Sequence, residues 1–189
     1  MGCLDRLFEK YDRLFLFDTE TTGLIYNRDE IIEFAAVVVE RREGKPAVIR
    51  EYDELIEKLG GVDLCLGGLG INGHVAFNEA AEADAPITAD EFANLNTRVL
   101  PISRETRTIN AYGYQRGDLA GMCEWCITIG MRQIIESRKI YIALNRPWQN
   151  GPFKHSLYDI ETGKWPASLL RRNQNLQYCV VAEVFEGIE

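Results

Sequence analysis

The feature that most restricts the fold is a short apolar run that leads into glycines, VDLCLGGLG at residues 62–70. A buried strand followed directly by a glycine-rich loop is typical of α/β domains, in which strands alternate with helices. In these domains ligands bind at the carboxyl ends of the parallel strands. The run therefore predicts an α/β domain whose functional site lies in the loop after this strand.

Other parts of the chain carry the strand and helix patterns that such a domain needs. Apolar runs predict strands at 13–18, 30–40, 97–102, 140–144 and 176–184. Apolar spacing and capping residues predict helices at 52–59, 103–114, 127–139, 153–161 and 165–170. Residues 42–46 are predicted to form a loop or hairpin, and the following AVIREY an extended piece. The predicted fold class is α/β, with a partial, doubly wound and mostly parallel sheet.

Composition and charge limit the location and the partners. The chain has 189 residues, 46% hydrophobic and 26% charged, which suits one globular domain or one and a partial second. A formal net charge of -8 argues against broad binding to phosphate backbones, but not against an enzyme that meets nucleic acid through bound cations. The cysteine count of 5 is odd, and no secretion signal or apolar stretch of membrane-spanning length is visible. We therefore predict a cytoplasmic protein with free thiols and no membrane partner.

A histidine and a carboxylate lie in the glycine-rich loop, in the string GGLGINGHVAFNE. His74 titrates near neutral pH, so it can carry a proton to and from a sugar ring oxygen. Glu79 can fix its tautomer, and Asn72 can form hydrogen bonds beside it. A purely structural loop histidine is the alternative, and it is less favoured because the chain has only 2 histidines and one of them lies here.

The longer string GGVDLCLGGLGINGHVAFNEA, residues 60–80, resembles the ring-opening motif of the glucosamine-6-phosphate deaminase/isomerase family nearly residue by residue. The similarity continues in order through NTRVLPIS, ETRTINA, ITIGMRQIIESRKIYIAL and PASLL, and it covers about residues 51–189. The resemblance implies an enzyme that converts glucosamine 6-phosphate to fructose 6-phosphate and ammonia. It implies a small-molecule sugar phosphate as the partner, and neither a metal nor an organic cofactor.

The resemblance also implies roles for individual residues. His74 would open the pyranose ring as the acid/base, with Asn72 and Glu79 orienting it. Arg107 would bind the substrate phosphate through a bidentate contact, although a solvated helix charge is an alternative for this residue. A second phosphate contact is expected after IYIAL, where the family often has a lysine and this chain has NRPWQNGPFK. Lys154 is the candidate in that stretch.

Two elements of that family have no counterpart before residue 62. One is a phosphate-binding loop at a helix N-terminus, and the other is an Asp-Glu motif whose Asp moves the proton between C1 and C2 of the sugar. A different segment occupies their place. Inactivity through truncation and a non-catalytic fusion product therefore stay open as alternatives, and the sequence is compatible with a homo-oligomer.

That segment contains two acids separated by one residue, Asp18 and Glu20, in the string FDTETTGL. On a strand, residues two apart project from the same face. Paired carboxylates suit Mg²⁺ or Mn²⁺, and a two-metal site activates water and stabilises the leaving oxygen of a phosphodiester. The alternative is an edge strand with a solvated acidic face.

Residues 11–57 resemble the opening of the DEDD-type 3′→5′ exonucleases, the family of the proofreading epsilon subunit of DNA polymerase III. The resemblance implies a ribonuclease H-like strand segment, Asp18 and Glu20 as ligands of Mg²⁺ or Mn²⁺, and nucleic acid as the partner. The family also needs a third carboxylate, and a final His with an Asp about five residues later. His155 and Asp159 come one residue short of that spacing.

The predicted organisation is therefore a chimera of two incomplete enzymes. Residues 1–48 form a truncated exonuclease-like segment, and residues 49–189 form a deaminase/isomerase-like domain without its N-terminal half. The junction is placed between residues 42 and 57. The leading functional hypothesis is sugar-phosphate chemistry on glucosamine 6-phosphate, and the alternative is a metal-dependent 3′→5′ exonuclease.

Overall fold

The structure is a computed structural model that describes residues 13–21, 31–42, 45–47, 49–82 and 86–188. Within these ranges side chains are described from Tyr52 onward, apart from that of Tyr114. The chain forms two compact units, Met1–Glu54 and Leu55–Glu189. The predicted domain ranges, 1–48 and 49–189, separate two family resemblances, whereas the two units are separated by their packing. The predicted ranges therefore stay a prediction.

The first unit contains an antiparallel sheet of three strands. These are β1 Arg13–Thr21, β2 Ile31–Arg42 and β3 Lys45–Ala47, in the order β1-β2-β3. The Cα atom of Asp18 lies opposite that of Ala35, and the Cα atom of Glu20 lies opposite that of Glu33. The strands predicted at 13–18 and 30–40 are confirmed, and each is slightly longer than predicted.

Helix α1, Ile49–Lys58, ends at a pair of glycines. Gly60 and Gly61 have positive φ angles of 93° and 89°, and their amides donate to carbonyl groups of the last turn. Because glycine has no Cβ, it adopts this backbone without strain and stops the helix. The predicted helix and its stop are confirmed. The prediction of an extended piece over AVIREY is wrong from Ile49 onward, where the helical spacing of IREYDELIEK begins.

The second unit alternates short strands and helices along the chain. Its strands are β4 Cys65–Gly67, β5 Arg98–Pro101, β6 Trp125–Thr128, β7 Ile140–Leu144 and β8 Leu176–Val180. Its α-helices are α2 Ala89–Ala93, α3 Arg104–Tyr114, α4 Met131–Ile135, α5 Asn150–Tyr158 and α6 Ala182–Phe185. Two 3₁₀-helices span Pro147–Gln149 and Pro166–Arg172.

The strands β4, β7 and β8 form a parallel sheet in that order, which confirms the predicted partial, mostly parallel sheet. Ile140, Ile142 and Leu144 of β7 alternate along the strand and are almost completely buried in the core. Buried side chains of helix α4 and of the second 3₁₀-helix belong to the same core cluster. On the opposite face Leu66 of β4 is 63% exposed and Ala143 is exposed. Parallel sheets are usually covered on both faces, so this sheet is half covered.

The strands β5 and β6 form a separate antiparallel pair. Residues 127–139 were expected to be one helix, and this prediction is wrong in its first part. Ile127 and Thr128 belong to β6, and α4 covers only Met131–Ile135. β-branched side chains favour strands, and pairing with β5 satisfies the backbone groups that a helix would otherwise satisfy. Similarly, the strand predicted at 176–184 ends at Val180 and α6 follows.

Among the described residues, no helix has the length and apolarity needed to cross a membrane. The predicted cytoplasmic location stays a prediction.

Candidate functional site

The loop after β4 turns back on itself and builds the site. The amide of Gly70 donates to the carbonyl of His74 at 2.9 Å, and the amide of Gly73 donates to the carbonyl of Gly70 at 3.0 Å. Gly73 has a φ of 76°, which favours glycine. The imidazole of His74 returns over Gly70 so closely that a β-carbon on residue 70 would overlap its ring atoms. Glycine at position 70 is therefore a steric requirement of the histidine's position.

The Asn72 side chain fixes the tautomer of His74. The Asn72 Oδ1 atom lies 2.8 Å from His74 Nδ1 and accepts from the His74 backbone amide at 3.2 Å. The Asn72 Nδ2 atom donates to Glu79 Oε2 at 2.6 Å, which sets the orientation of the amide because a carboxylate only accepts. Since an amide oxygen also only accepts, Nδ1 carries the proton. In the neutral ring Nε2 is then the basic nitrogen, and it has no hydrogen-bond partner among the described residues.

Glu79 lies behind the histidine rather than in direct contact with it. Its Oε2 atom is 3.7 Å from His74 Nδ1, too far for a direct hydrogen bond. The carboxylate accepts from Asn72, from the hydroxyl of Thr106 at 3.2 Å and from the backbone amide of Ser103 at 3.3 Å. Because Ser103 caps α3 and Thr106 lies in its first turn, the N-terminus of α3 anchors the carboxylate.

Burial sets the charge state of the histidine. The His74 side chain is 12% exposed and stacks on Phe77, with ring centroids 5.8 Å apart. Burial lowers the pKa of His74, and the Glu79 carboxylate opposes this with a smaller raising effect. At neutral pH the ring is therefore neutral and able to accept a proton at Nε2.

A buried amide holds the second half of the loop. Asn78 is completely buried, and its Nδ2 atom donates to the carbonyls of Val75 at 3.0 Å and Ile129 at 2.9 Å. Its Oδ1 atom accepts from Arg98 of β5 at 2.6 Å, and burial lowers the pKa of that guanidinium. Ala76 has a φ of 52° in the turn between Val75 and Asn78. The β5–β6 pair thus fixes the loop that carries Glu79.

A second buried amide joins this loop to the end of β7. Gln149 is 6% exposed, and its Nε2 atom donates to the carbonyl of Leu69 at 3.0 Å. Its Oε1 atom accepts from the amides of Asn145 at 2.9 Å and Arg146 at 3.0 Å. Gln149 therefore ties together the two strand ends that border the site.

The comparisons with known proteins agree with this architecture. The chain is 31% identical over 130 residues to glucosamine-6-phosphate deaminase of Lachnoclostridium phytofermentans, covering 69% of this chain and 50% of the relative. It is 31% identical over 150 residues to the same enzyme of Mycolicibacterium smegmatis, covering 77% and 53%. A solved monomeric glucosamine-6-phosphate deaminase superimposes with a TM-score of 0.62 at 24% identity, covering 72% of this chain and 52% of the other.

The region of the chain that matches these relatives has the glucosamine-6-phosphate deaminase fold. The chain spans about half the length of the curated deaminases that it matches. A second family, described as Exonuclease, matches residues 15–64. The two resemblances seen in the sequence, a deaminase over most of the chain and an exonuclease at its start, are both confirmed.

The residues predicted to bind phosphate lie on two different helices of the second unit. Arg107 of α3 lies 3.6 Å from the Glu124 carboxylate, donates to the Leu119 carbonyl at 3.4 Å, and has a buried Nε atom without a partner among the described residues. Lys154 is exposed on α5 and forms no hydrogen bond or ion pair with any described residue. Their phosphate-binding roles stay predictions.

The predicted metal ligands lie in the first unit. Asp18 and Glu20 occupy β1 with one residue between them, but their side chains lie outside the described part of the chain, so the metal site stays a prediction. His155 on α5 and Asp159, which caps the C-terminus of that helix, form a surface pair with Nδ1 and Oδ2 2.8 Å apart. The described side chains contain no group of three or more His, Cys, Asp or Glu placed to hold a metal ion.

The sequence identified three of the five side chains in the hydrogen-bonded cluster, namely His74, Asn72 and Glu79. The other two, Ser103 and Thr106, were missed as site residues. Ser103 was recognised only as a helix cap. The available signal was their spacing of three residues, because an N-cap side chain accepts from the backbone amide three residues later and so lies beside that residue.

Proposed function

We propose that this site opens the pyranose ring of glucosamine 6-phosphate, the first step in its conversion to fructose 6-phosphate and ammonia. The observation that carries the proposal is the arrangement of the two imidazole nitrogens. The Nδ1 atom of His74 is held by Asn72 Oδ1 at 2.8 Å, whereas Nε2 has no hydrogen-bond partner among the described residues. A buried, neutral imidazole with one fixed and one free nitrogen is suited to accept and return a proton.

Ring opening requires the transfer of one proton, which His74 carries from the anomeric hydroxyl to the ring oxygen. The His74 Nε2 atom removes the proton from the anomeric hydroxyl, the C1–O5 bond breaks as the C1 carbonyl forms, and O5 receives the proton from Nε2. The imidazolium exists only between these two transfers. A lowered pKa of His74 keeps the ring neutral at the start and makes the imidazolium a ready proton donor.

Asn72 and Glu79 support both transfers. The Asn72 Oδ1 atom accepts from Nδ1 in the neutral and in the charged ring, so the imidazole keeps one orientation throughout. Glu79 is 8% exposed, and its negative charge 3.7 Å from Nδ1 stabilises the imidazolium more than the neutral ring. The family resemblance and the curated deaminases point to the same substrate class.

Later steps need a second proton shuttle between C2 and C1. The chain spans about half the length of the curated deaminases, and that family's proton-shuttle motif has no recognised counterpart before residue 62. We therefore separate the activity into two parts. The part built around His74 is ring opening, and isomerisation with loss of ammonia is the part that depends on groups beyond this cluster.

Two assays test the two parts separately. Magnetisation exchange between the anomers of glucosamine 6-phosphate, followed by NMR, reports ring opening, and a coupled ammonia assay reports the complete reaction. The variant is His74→Ala, and the matched control is His155→Ala, since His155 lies on the surface of α5. Anomer exchange that is accelerated by the wild type and by His155→Ala but not by His74→Ala supports the proposal. No acceleration by folded wild-type protein contradicts it.

A metal-dependent 3′→5′ exonuclease is the second candidate function, and the match of the exonuclease family to residues 15–64 is the observation that favours it. Asp18 and Glu20 lie in the matched range on β1, and we propose them as ligands of Mg²⁺ or Mn²⁺ with single-stranded nucleic acid as the substrate. Mg²⁺-dependent shortening of single-stranded DNA, lost in Asp18→Asn, supports this function. Its absence at saturating Mg²⁺ contradicts it.

A further inference from the structure

The hydroxyl of Thr106 lies between the imidazole of His74 and the carboxylate of Glu79. It is 3.1 Å from His74 Nδ1 and 3.2 Å from Glu79 Oε2, and the residue is completely buried. We propose that Thr106 is a positioning residue that couples Glu79 to His74 during ring opening. This inference rests on the proposed function of the site.

The direction of each hydrogen bond follows from the chemistry of the groups. A carboxylate only accepts, so the single hydroxyl proton of Thr106 goes to Glu79. Towards His74 the Thr106 oxygen is therefore an acceptor, and it shares the Nδ1 proton with Asn72. The Ser103 hydroxyl donates to the Thr106 oxygen at 3.0 Å, which fixes the hydroxyl rotamer.

The cluster contains two parallel bridges between the imidazole and the carboxylate. One runs through the Asn72 amide and the other through the Thr106 hydroxyl, and both donate to the same oxygen, Glu79 Oε2. Because His74 Nδ1 and Glu79 Oε2 are 3.7 Å apart, the carboxylate contacts the ring only through these neutral groups. Loss of either bridge weakens the link between the negative charge and the ring.

Few other charged groups act on this cluster. Glu79 is the titratable partner of His74. Cys126 of β6 interacts electrostatically with Glu79 and with Arg98 of β5. Burial raises the pKa of Cys126 to about 12, so this thiol stays neutral near pH 7. The charged group that Thr106 links to the ring by hydrogen bonds is therefore Glu79.

The test replaces the hydroxyl and keeps the shape, with Thr106→Val as the variant and Thr106→Ser as the rescue that retains the hydroxyl. The control is Thr108→Val on the exposed side of the same helix, where the hydroxyl donates to the Arg104 carbonyl at 2.7 Å. Removing an acceptor from Nδ1 destabilises the imidazolium. We expect the pKa of His74 to fall, the pH profile of anomer exchange to move to lower pH, and the maximal rate to fall about tenfold.

A double-mutant cycle that combines Thr106→Val with Glu79→Gln tests whether Thr106 and Glu79 act on His74 together. If Thr106 transmits the effect of Glu79, the pKa shifts of Thr106→Val and Glu79→Gln are not additive. NMR titration of the His74 ring measures these shifts without any activity, and with only 2 histidines in the chain the signals are assigned by His74→Ala. Absence of ring opening therefore overturns the proposed function, whereas the titration still tests Thr106.

Two results would overturn the inference. One is a Thr106→Val protein whose His74 pKa equals that of the wild type, and the other is additivity of the two shifts. If Thr106→Val does not fold, Thr106→Ala replaces it in the same cycle, because the smaller side chain removes the hydroxyl without adding a methyl group. Thr106→Ser must restore the wild-type pKa, and its failure to do so also contradicts the inference.

Discussion

The imidazole of His74 rests against the Cα of Gly70, in a position that any β-carbon on residue 70 would overlap. The contact links the backbone of the glycine-rich loop to the acid/base. It explains why this loop needs glycine where strand β4 has already ended. The position of the ring is therefore encoded in the backbone as well as in its hydrogen bonds.

Gly70→Ala is expected to displace the His74 ring and abolish its ring opening. The new methyl group meets the imidazole, and the ring must leave its bonds to Asn72 and Thr106. Overpacking of this kind costs about 1–3 kcal/mol of stability. Chemical denaturation and anomer exchange measure the two effects. Gly113→Ala is the control, because its β-carbon meets nothing within 4 Å and alanine favours helix α3. Equal activity in the two variants would contradict the role of Gly70.

The stability of the protein is expected to depend on pH through His74. Burial lowers the pKa of His74 in the folded state, so the unfolded chain binds more protons in this range. The contribution of His74 is therefore fully present above its usual pKa of about 6.5, and it is lost as the pH falls through the lower folded pKa. Urea unfolding of the wild type and of His74→Gln, measured from above about pH 6.5 down to the lower folded pKa, gives the pH dependence of the free energy of unfolding for each protein. A wild-type curve parallel to that of His74→Gln would refute this assignment.

Glu79→Gln is expected to lower the pKa of His74 further. The carboxylate is the group that raises this pKa, and its removal leaves burial unopposed. The acid limb of the anomer-exchange profile should then move to lower pH, while the maximal rate decreases because the imidazolium is less stabilised. Glu183→Gln is the matched control, since Glu183 is exposed on helix α6. An unchanged profile in Glu79→Gln would show that the carboxylate does not act on the histidine.

Gln149→Met is expected to destabilise the unit by about 1–3 kcal/mol, because it leaves the carbonyl of buried Leu69 and the amides of Asn145 and Arg146 without their side-chain partner. Gln177→Met on β8 is the control, because Gln177 is exposed. Denaturant midpoints measure both variants. If the two substitutions cost the same, Gln149 is not the tie between the two strand ends.

Local patterns in the sequence predicted most elements of the fold. The β4 strand with its glycine-rich loop, the Ser103 cap of α3 and the core strand β7 all carry their signal within a few residues. The string around His74 also predicted the site, since Asn72 and Glu79 lie within five residues of it in the chain.

The features that the sequence did not predict depend on distant partners. The 127–139 segment has the apolar spacing of a helix, and its strand conformation at Ile127 is stabilised by pairing with Val99 on β5. Thr106 reaches His74 across 32 residues, and Gln149 reaches Leu69 across 80 residues. A lone threonine or glutamine carries no local signal for such a contact.

The most direct measurement is the rate of anomer exchange in glucosamine 6-phosphate with wild-type protein and with His74→Ala at equal concentration near pH 7.5. The ring-opening account predicts that the wild type accelerates the exchange and that His74→Ala returns it to the rate in buffer, with both proteins equally folded by circular dichroism. Equal acceleration by both proteins would show that another group opens the ring and would contradict the central claim.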